Sequence, residues 1–96
     1  MSQITPQTKV TVTPDQVSSE VSGEIIILHV KDGMYFGLDD VGAVVWQAIQ
    51  KPRRVDEIVN TMLEQFEVDR EKCEADLCAL LEQMVAAKLV SVENEA

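Results

Sequence analysis

Two patterns of apolar residues divide the chain at about residue 39. Before that point, β-branched and apolar residues alternate with polar ones or form short runs, which is typical of strands; after it, apolar residues recur at helical spacing. The pattern predicts a single α+β domain of winged helix-turn-helix-like form, in which an N-terminal three-stranded antiparallel sheet precedes three helices. The predicted strands are residues 9–13, weakly continued over 17–21, then 24–30, 34–38 and a short closing strand at 89–92, and the predicted helices are 40–50, 55–66 and 70–87.

The connections and ends of these elements follow from local chemistry. Asp32-Gly33 is a favoured pair for a type I′ hairpin between residues 24–30 and 34–38, because both central residues of that turn need positive φ. The unbroken apolar run at residues 25–28 predicts a strand covered on both faces. Residues 1–8 and 93–96 are predicted to be loose ends of the domain.

The helix starts differ in quality. Asp39 and Asp69 are predicted N-caps of the first and third helices, whereas Arg54 stands at that position before the second. Because Arg54 offers no side-chain acceptor, that start should be weaker by about 1 kcal/mol.

The third predicted helix has more apolar surface than one contact needs. Its apolar residues spread over roughly half of the helix circumference, beyond the stripe of about 100° that a single contact uses. This width predicts two apolar contacts. The residues are Cys73, Leu77, Cys78, Leu80, Leu81, Met84 and Val85.

Composition excludes several partners. The chain has 96 residues, eight basic against seventeen acidic, and a formal charge of −9, which disfavours nucleic acid and anionic membrane surfaces. Its longest apolar run is too short to span a bilayer, and the start has no signal-peptide pattern. We therefore expect a cytoplasmic protein.

The sequence offers no set of catalytic or metal-binding residues. His29 is the only imidazole and lies within a predicted strand. Cys73 and Cys78 point about 140° apart on a helix, which suits neither a disulfide nor tetrahedral zinc. We predict no enzyme activity, no metal and no cofactor, and hence a binding function.

A sheet edge is the best candidate for that function. An extended peptide can add to an exposed strand through backbone hydrogen bonds. Residues 34–38 are the candidate edge, because Met34, Phe36 and Leu38 share one face and Gly37 allows close approach of another backbone. The third helix would supply the opposite wall. In the alternative interpretation, these residues are ordinary core and the broad helix is simply central; periodicity alone leaves both open.

Residues 34–46 also carry a recognisable motif. Met34-Tyr35-Phe36-Gly37-Leu38-Asp39-Asp40-Val41-Gly42-Ala43-Val44-Val45-Trp46 resembles the "aromatic-aromatic-x-Leu-Asn/Asp-x-x-Gly-x-x-x-Trp" signature of the PqqD-like proteins. These are recognition elements for the precursors of ribosomally synthesised, modified peptides. The resemblance extends over about residues 10–92 and is greatest to the free-standing leader-binding subunit of lasso-peptide biosynthesis.

The resemblance implies a fold and a role. The fold is winged-helix-like without DNA binding, and the leader segment of a precursor peptide adds as a strand to residues 34–38 and packs against the third helix. The domain itself does no chemistry and delivers the precursor to a processing enzyme, which is a leader peptidase in lasso systems. The peptide-binding residues implied are Met34, Tyr35, Phe36, Gly37 and Leu38 from the strand, and Cys73, Asp76, Leu77, Leu80, Leu81 and Met84 from the helix.

Departures from the family and alternatives to the lasso interpretation are also visible. Arg54 replaces a small hydroxyl N-cap, and Lys88 stands where many relatives have the glycine that ends the third helix. The same adaptor could serve a radical-enzyme pathway such as quinone-cofactor biosynthesis. A winged-helix DNA-binding regulator is the weaker alternative, because the third helix carries more acid than base. The exposed strand edge also allows a strand-mediated homodimer.

Overall fold

The computed structural model describes residues 4–93, which form two small antiparallel sheets and three helices around one core. The predicted α+β class is confirmed. Val10, Ile27, Trp46, Ile58 and Leu81 are among the fully buried residues, so strands and helices contribute to the same core. The elements are β1 (Lys9–Val12), β2 (Gln16–Val21), β3 (Glu24–His29), β4 (Met34–Leu38), α1 (Asp40–Ala48), β5 (Arg53–Arg54), α2 (Val55–Gln65), α3 (Arg70–Ala86) and β6 (Val90–Glu93).

The strand arrangement differs from the predicted one. The sheet that precedes the helices is β2-β3-β4, and β1 belongs to a second sheet, where it lies between β5 and β6. The backbone N–H of Val12 donates to the carbonyl of Ile49, and that of Thr13 donates to the carbonyl of Leu89. These bonds tie β1 to the ends of α1 and α3. Local periodicity does not indicate which distant residues a strand pairs with. The sequence pattern therefore predicted that β1 pairs with the strands that follow it in the chain.

Strand β3 is covered on one face only. Ile25, Ile27 and His29 are buried, whereas Ile26 between them is 44% exposed. The prediction that both faces are covered is therefore wrong. A continuous apolar run can occur in a strand that is buried on one face only, with apolar side chains exposed on the other.

The type I′ turn lies at a different hairpin from the predicted one. Ser22 and Gly23, which join β2 to β3, have φ of 54° and 83°, as that turn requires. Residues 30–33 join β3 to β4, and there Gly33 has positive φ (67°) while Asp32 does not. The Gly33 N–H donates to the His29 carbonyl at 2.8 Å. The antiparallel pairing of β3 with β4 is confirmed, but by a longer loop.

The segment before β1 is packed against the domain, contrary to the prediction of a loose end. Thr8 is fully buried, and its carbonyl accepts from the Val55 N–H at 2.9 Å. The Pro6 carbonyl accepts from the Asp56 N–H at 3.0 Å. At the other end, Glu93 lies in β6. Residues 1–3 and 94–96 of the predicted ends lie outside the described residues.

These contacts explain how α2 begins without a capping side chain. The first helical N–H groups, which have no partner within the helix, donate to the Pro6 and Thr8 carbonyls. The Glu57 carboxylate accepts from the Arg54 N–H at 3.0 Å. The N-terminal segment thus replaces the side-chain cap that Arg54 lacks. Of the two predicted aspartate caps, Asp39 accepts from the Gly42 N–H at 2.9 Å, whereas the Asp69 side chain makes no cap bond.

Helix α3 ends in a Schellman motif with a non-glycine residue at its left-handed position. Lys88 has a φ of 64°. The Leu89 N–H donates to the Met84 carbonyl at 2.9 Å, and the Lys88 N–H donates to the Val85 carbonyl at 3.0 Å, the pair of bonds that defines this motif.

Replacing Lys88 by Gly should therefore stabilise the domain. The left-handed conformation costs an L-residue about 1–2 kcal/mol, which exceeds the entropy that glycine loses on folding, so we expect a gain of about 0.5–1 kcal/mol. Urea denaturation measures it. Lys88→Ala is the matched control, because it removes the same side chain and keeps the strain; an equal gain from Lys88→Ala would contradict the prediction.

Candidate functional site

Strand β4 is an open edge of the β2-β3-β4 sheet. It pairs with β3, and within residues 4–93 no strand lies on its other side. Phe36 and Leu38 stand opposite the buried Ile27 and Ile25, so their side chains share the face that points to the core. Both are half-buried. The backbone of β4 is thus free to accept another strand next to a partly apolar face.

An open groove of about 670 Å³ begins at the end of β4. Its apolar lining comes from Leu38 of β4, Val41 of α1 and Leu80 of α3. The strand and the helix that the sequence nominated as two walls therefore meet here. The full lining is Glu24, Gly37, Leu38, Asp39, Val41, Gly42 and Leu80.

A smaller apolar cavity of about 190 Å³ adjoins this groove. Val41, which is 38% exposed, lines both spaces and so marks where they meet. The two are here together called the β4–α3 groove; its larger part is lined from β4, α1 and α3, and its smaller part from the three helices. The smaller cavity is lined by Val41, Met62, Phe66, Val68, Lys72, Cys73 and Asp76.

The floor of the smaller cavity is uncharged and its rim is charged. The Cys73 thiol is buried and contacts the Met62 sulfur at 3.8 Å. Burial, reinforced by the negative charge of Asp76, raises the pKa of Cys73, so the thiol is neutral at neutral pH and unsuited to nucleophilic attack. At the rim, the Lys72 Nζ lies 3.4 Å from an Asp76 carboxylate oxygen, and both side chains are largely exposed. Such a pair adds little stability.

The structure brings five of the nominated residues together at the groove and places the others elsewhere. Leu77, Leu81 and Met84 are at most 3% exposed and belong to the core. Met34 is 55% exposed at the start of β4, and Tyr35 is 69% exposed, on the opposite face from Phe36. Phe36 packs against the core from the groove face. The five at the groove are Gly37, Leu38, Cys73, Asp76 and Leu80.

Sequence reasoning missed several residues of the groove. Val41 lies at helical spacing from the buried Val45, yet its position in the first turn of α1 leaves it partly exposed. Val68, 46% exposed, lies in the α2–α3 connection, where no periodicity applies. Val68 could have been found as an apolar residue in a short polar connection, which is unusual unless the residue makes a contact. The other lining residues that the sequence did not nominate are Glu24, Asp39, Gly42, Met62, Phe66 and Lys72.

Gly42, the glycine of the motif, lets α1 approach the end of β4. A Cβ added there would lie 3.1 Å from the Leu38 Cβ and 3.2 Å from its Cδ2. The first contact is set by backbone positions, so no rotation of the Leu38 side chain relieves it. Gly42 thereby fixes where Leu38, one wall of the groove, stands.

We expect Gly42→Ala to destabilise the domain by about 1 kcal/mol. Overpacking costs about 1–3 kcal/mol, against a helix-propensity gain of about 1 kcal/mol. Gly37→Ala is the control, since nothing lies within 4 Å of its Cβ position, and it should be neutral or slightly stabilising. Urea denaturation of both variants measures the difference, and a Gly42→Ala variant more stable than the wild type would show that Leu38 is not held at this spacing.

The other sheet edge, β2, has a different setting. The cavity beside it, about 240 Å³, is lined by five polar residues of β2 and of α1 and its C-terminal end, together with Ile25 and Trp46. The Trp46 Nε1–H donates to Ser18 Oγ at 3.2 Å, and Gln47 Nε2 donates to a Glu20 carboxylate oxygen at 3.0 Å. The helix α1 is thus bonded directly to β2, whereas an apolar groove lies beside β4.

Other chemistry is sparse in the described part of the chain. Within residues 4–93, no three His, Cys, Asp or Glu side chains cluster closely enough to hold a metal ion. His29 is buried, and its Nδ1 lies 3.4 Å from Asp32. None of the helices in this range is long and apolar enough to cross a membrane.

The fold and site define a small α+β domain with an open strand edge beside an apolar groove. The family profile "Coenzyme PQQ synthesis protein D (PqqD)" matches residues 24–90, which contain β3, β4 and all three helices. The chain belongs to the PqqD family. The resemblance read from the 34–46 motif is thereby confirmed.

Two solved structures share the fold. The chain is similar to "TbiB1 in Complex with the TbiA(beta) Leader Peptide", with a TM-score of 0.79 and 32% identity, over 90% of this chain and 98% of that one. It is also similar to "Lasso peptide synthetase B1 complexed with the leader peptide", with a TM-score of 0.77 and 18% identity, over 85% of this chain and 96% of that one. No curated protein sequence matches significantly.

Proposed function

We propose that the chain is a non-catalytic adaptor that binds the leader segment of a ribosomally made precursor peptide and delivers it to a separate processing enzyme. The observation that carries the proposal is the open edge of β4 beside the β4–α3 groove. Both structural relatives are described as bound to a leader peptide.

The binding mode is strand addition. An extended leader pairs with the free N–H and C=O groups of β4, and its alternate side chains point into the groove. Leu38, Val41 and Leu80 supply apolar contacts at one end, and the smaller cavity, near Val68 and Cys73, takes an apolar side chain further along. Main-chain pairing gives affinity, and the two cavities give specificity.

The β4 edge is favoured over β2 for two reasons. The cavity beside β2 is lined mostly by polar residues, and two of them, Ser18 and Glu20, already accept bonds from Trp46 and Gln47. A peptide added there would find less apolar surface to cover. The net charge of −9 also favours a leader that carries Lys or Arg beside its apolar positions.

The processing enzyme defines the pathway. Likeness to two leader-bound proteins, one of them a lasso peptide synthetase subunit, favours a leader peptidase. The family description, which names coenzyme PQQ synthesis, favours a radical enzyme of quinone-cofactor formation. The adaptor step is the same in both, and the enzyme encoded beside this chain distinguishes them.

Titration of a fluorescently labelled leader peptide, taken from a precursor encoded beside this chain, tests the proposal. We expect a dissociation constant in the micromolar range or below. Hydrogen exchange measured with and without the leader should slow at alternate amides of β4 and leave β2 unchanged, since only amides that gain a bond are protected. A labelled DNA duplex serves as the negative probe.

The outcomes separate binding from its mode. Absence of binding to every neighbouring precursor leader would refute the adaptor role. Protection at β2 instead of β4 would refute strand addition at the proposed edge. Duplex binding that weakens with salt, without leader binding, would favour a DNA-binding regulator.

A further inference from the structure

The β2-β3-β4 sheet has a second face, turned away from the core, that carries exposed apolar side chains. Val17 of β2 stands opposite Leu28 of β3, which stands opposite Tyr35 of β4, so the three form a row across the sheet. Val17 is 56% exposed and Tyr35 69%. Ile26 and Val21, at 44% and 53%, continue along the same face. These five residues are called the outer face.

The size of the outer face suits a transient contact. Three strands about 4.8 Å apart, with about 3.4 Å per residue, give a surface of about 300 Å². Apolar patches of about 300–600 Å² on monomers are often functional. A stable dimer buries about 800 Å² per partner, so stacking two copies of this face falls well short of what a stable dimer needs.

The charges around the outer face point to a basic partner. Glu24 lies at one end, and at the other Asp15 pairs with Lys31 at 3.2 Å, while Asp32 lies against His29 on the core side. The rim thus carries two acids, Glu24 and Asp15, against one lysine, and the chain as a whole has a net charge of −9. A second copy would bring like charges together, whereas a partner with a basic rim would be attracted.

We propose that the outer face docks the processing enzyme, through an enzyme surface that is apolar at its centre and basic at its rim. The inference rests on the proposed function and adds the surface that receives the second partner. Strand β4 connects the two sites, since Phe36 and Leu38 point to the groove side while Tyr35 points to the outer face. The leader thus binds at the edge of β4 beside the groove and the enzyme on the outer face, so both occupy the adaptor together.

A double variant, Val17→Thr with Ile26→Thr, tests this surface. Both residues lie outside β4, and threonine keeps the β-branched shape that strands favour while removing apolar contact. Val85→Thr is the matched control, because Val85 is 37% exposed on α3 and lines neither part of the β4–α3 groove. The probe is the purified peptidase or radical enzyme encoded beside this chain, with affinity measured by surface plasmon resonance at low and high salt.

We expect the double variant to lose enzyme affinity at least tenfold, to bind labelled leader peptide within twofold of the wild type, and to stay folded by circular dichroism. Val85→Thr should match the wild type in both assays, and salt should weaken wild-type enzyme binding. Unchanged enzyme affinity in the double variant would overturn the inference. So would a wild-type dimer, seen by sedimentation, that the double variant abolishes.

Failure of this inference and failure of the proposed function are distinguishable. If the wild type binds the leader but the double variant binds enzyme normally, only the docking surface is wrong. If the wild type binds no leader, yet enzyme binding is lost in the double variant, the adaptor role is wrong and the docking surface stands.

Discussion

We expect Val41→Asp to lower the affinity for the leader peptide by at least about 30-fold in a domain that remains folded. Val41 lines both parts of the β4–α3 groove, so an added strand would cover the introduced carboxylate. Among residues 4–93, Lys72 is the only basic group that lines the groove, and its Nζ already lies 3.4 Å from Asp76. Covering a charge without a partner costs at least about 2 kcal/mol, which corresponds to about 30-fold in the dissociation constant.

The fold should tolerate this substitution. Val41 is the second residue of α1 and is 38% exposed, so little packing is lost. A carboxylate in the first turn also interacts favourably with the helix dipole, by about 0.3–1 kcal/mol. We expect the free energy of unfolding to change by less than about 1 kcal/mol. Loss of leader binding in this variant can then be assigned to the groove.

Val85→Asp provides the matched control. It makes the same change at a residue that is 37% exposed, and it lies roughly 180° from Asp76 around α3. Because it lines neither part of the groove, leader affinity should stay within about twofold of the wild type after correction for the folded fraction. Titration of the labelled leader against both variants, with urea denaturation of each, shows whether the loss of affinity is specific to Val41. Equal losses would show a general effect of added negative charge rather than a contact in the groove.

The parts of the fold that could be predicted from sequence are those with local causes. All three helices begin where predicted and end within two residues of the prediction, because the apolar residues of each recur at helical spacing. The junction from β4 to α1 was also predictable, since Asp39 caps the helix as expected. The family motif and the N-cap preference of aspartate both placed the start of α1 after Asp39.

The parts that could not be predicted depend on contacts between distant residues. The pairing of β1 with β5 and β6 joins residues far apart in sequence, and nothing near β1 specifies it. The start of α2 is satisfied by the Pro6 and Thr8 carbonyls, which no rule for capping side chains would find. The same reason applies to the exposed Ile26: an apolar run does not show which of its two faces remains uncovered.

The wide apolar arc of α3 correctly indicated two contacts, but its residues are shared between the core and the groove differently from the prediction. Leu77, Leu81 and Met84 point into the core, while Leu80 lies at the margin of the arc and reaches the groove. Helical spacing gives the width of such an arc but not the direction of the core relative to it. The direction depends on how α3 packs on α2, where Cys73 meets Met62.

Trp46→Ala should lower the free energy of unfolding by about 3–5 kcal/mol. Trp46 is 2% exposed and is the largest fully buried side chain, so its removal leaves a cavity between α1 and the sheet. Since domains of this size are stable by about 5–10 kcal/mol, this single change removes a large part of the total. Trp46 thus holds the sheet against α1. It affects β4 by stabilising the fold, and not by a contact with the leader peptide.

Two further variants separate packing from hydrogen bonding at Trp46. Trp46→Phe keeps a ring in the core and loses the 3.2 Å bond to Ser18, so it should cost about 1–2 kcal/mol. Ser18→Ala loses the same bond from an exposed residue and should cost less than about 1 kcal/mol. Circular dichroism is the appropriate readout, because Trp46 is the only tryptophan and its fluorescence disappears with it. Leader affinity per folded molecule should be unchanged in Trp46→Phe; a loss of affinity in fully folded protein would instead place Trp46 in contact with the peptide.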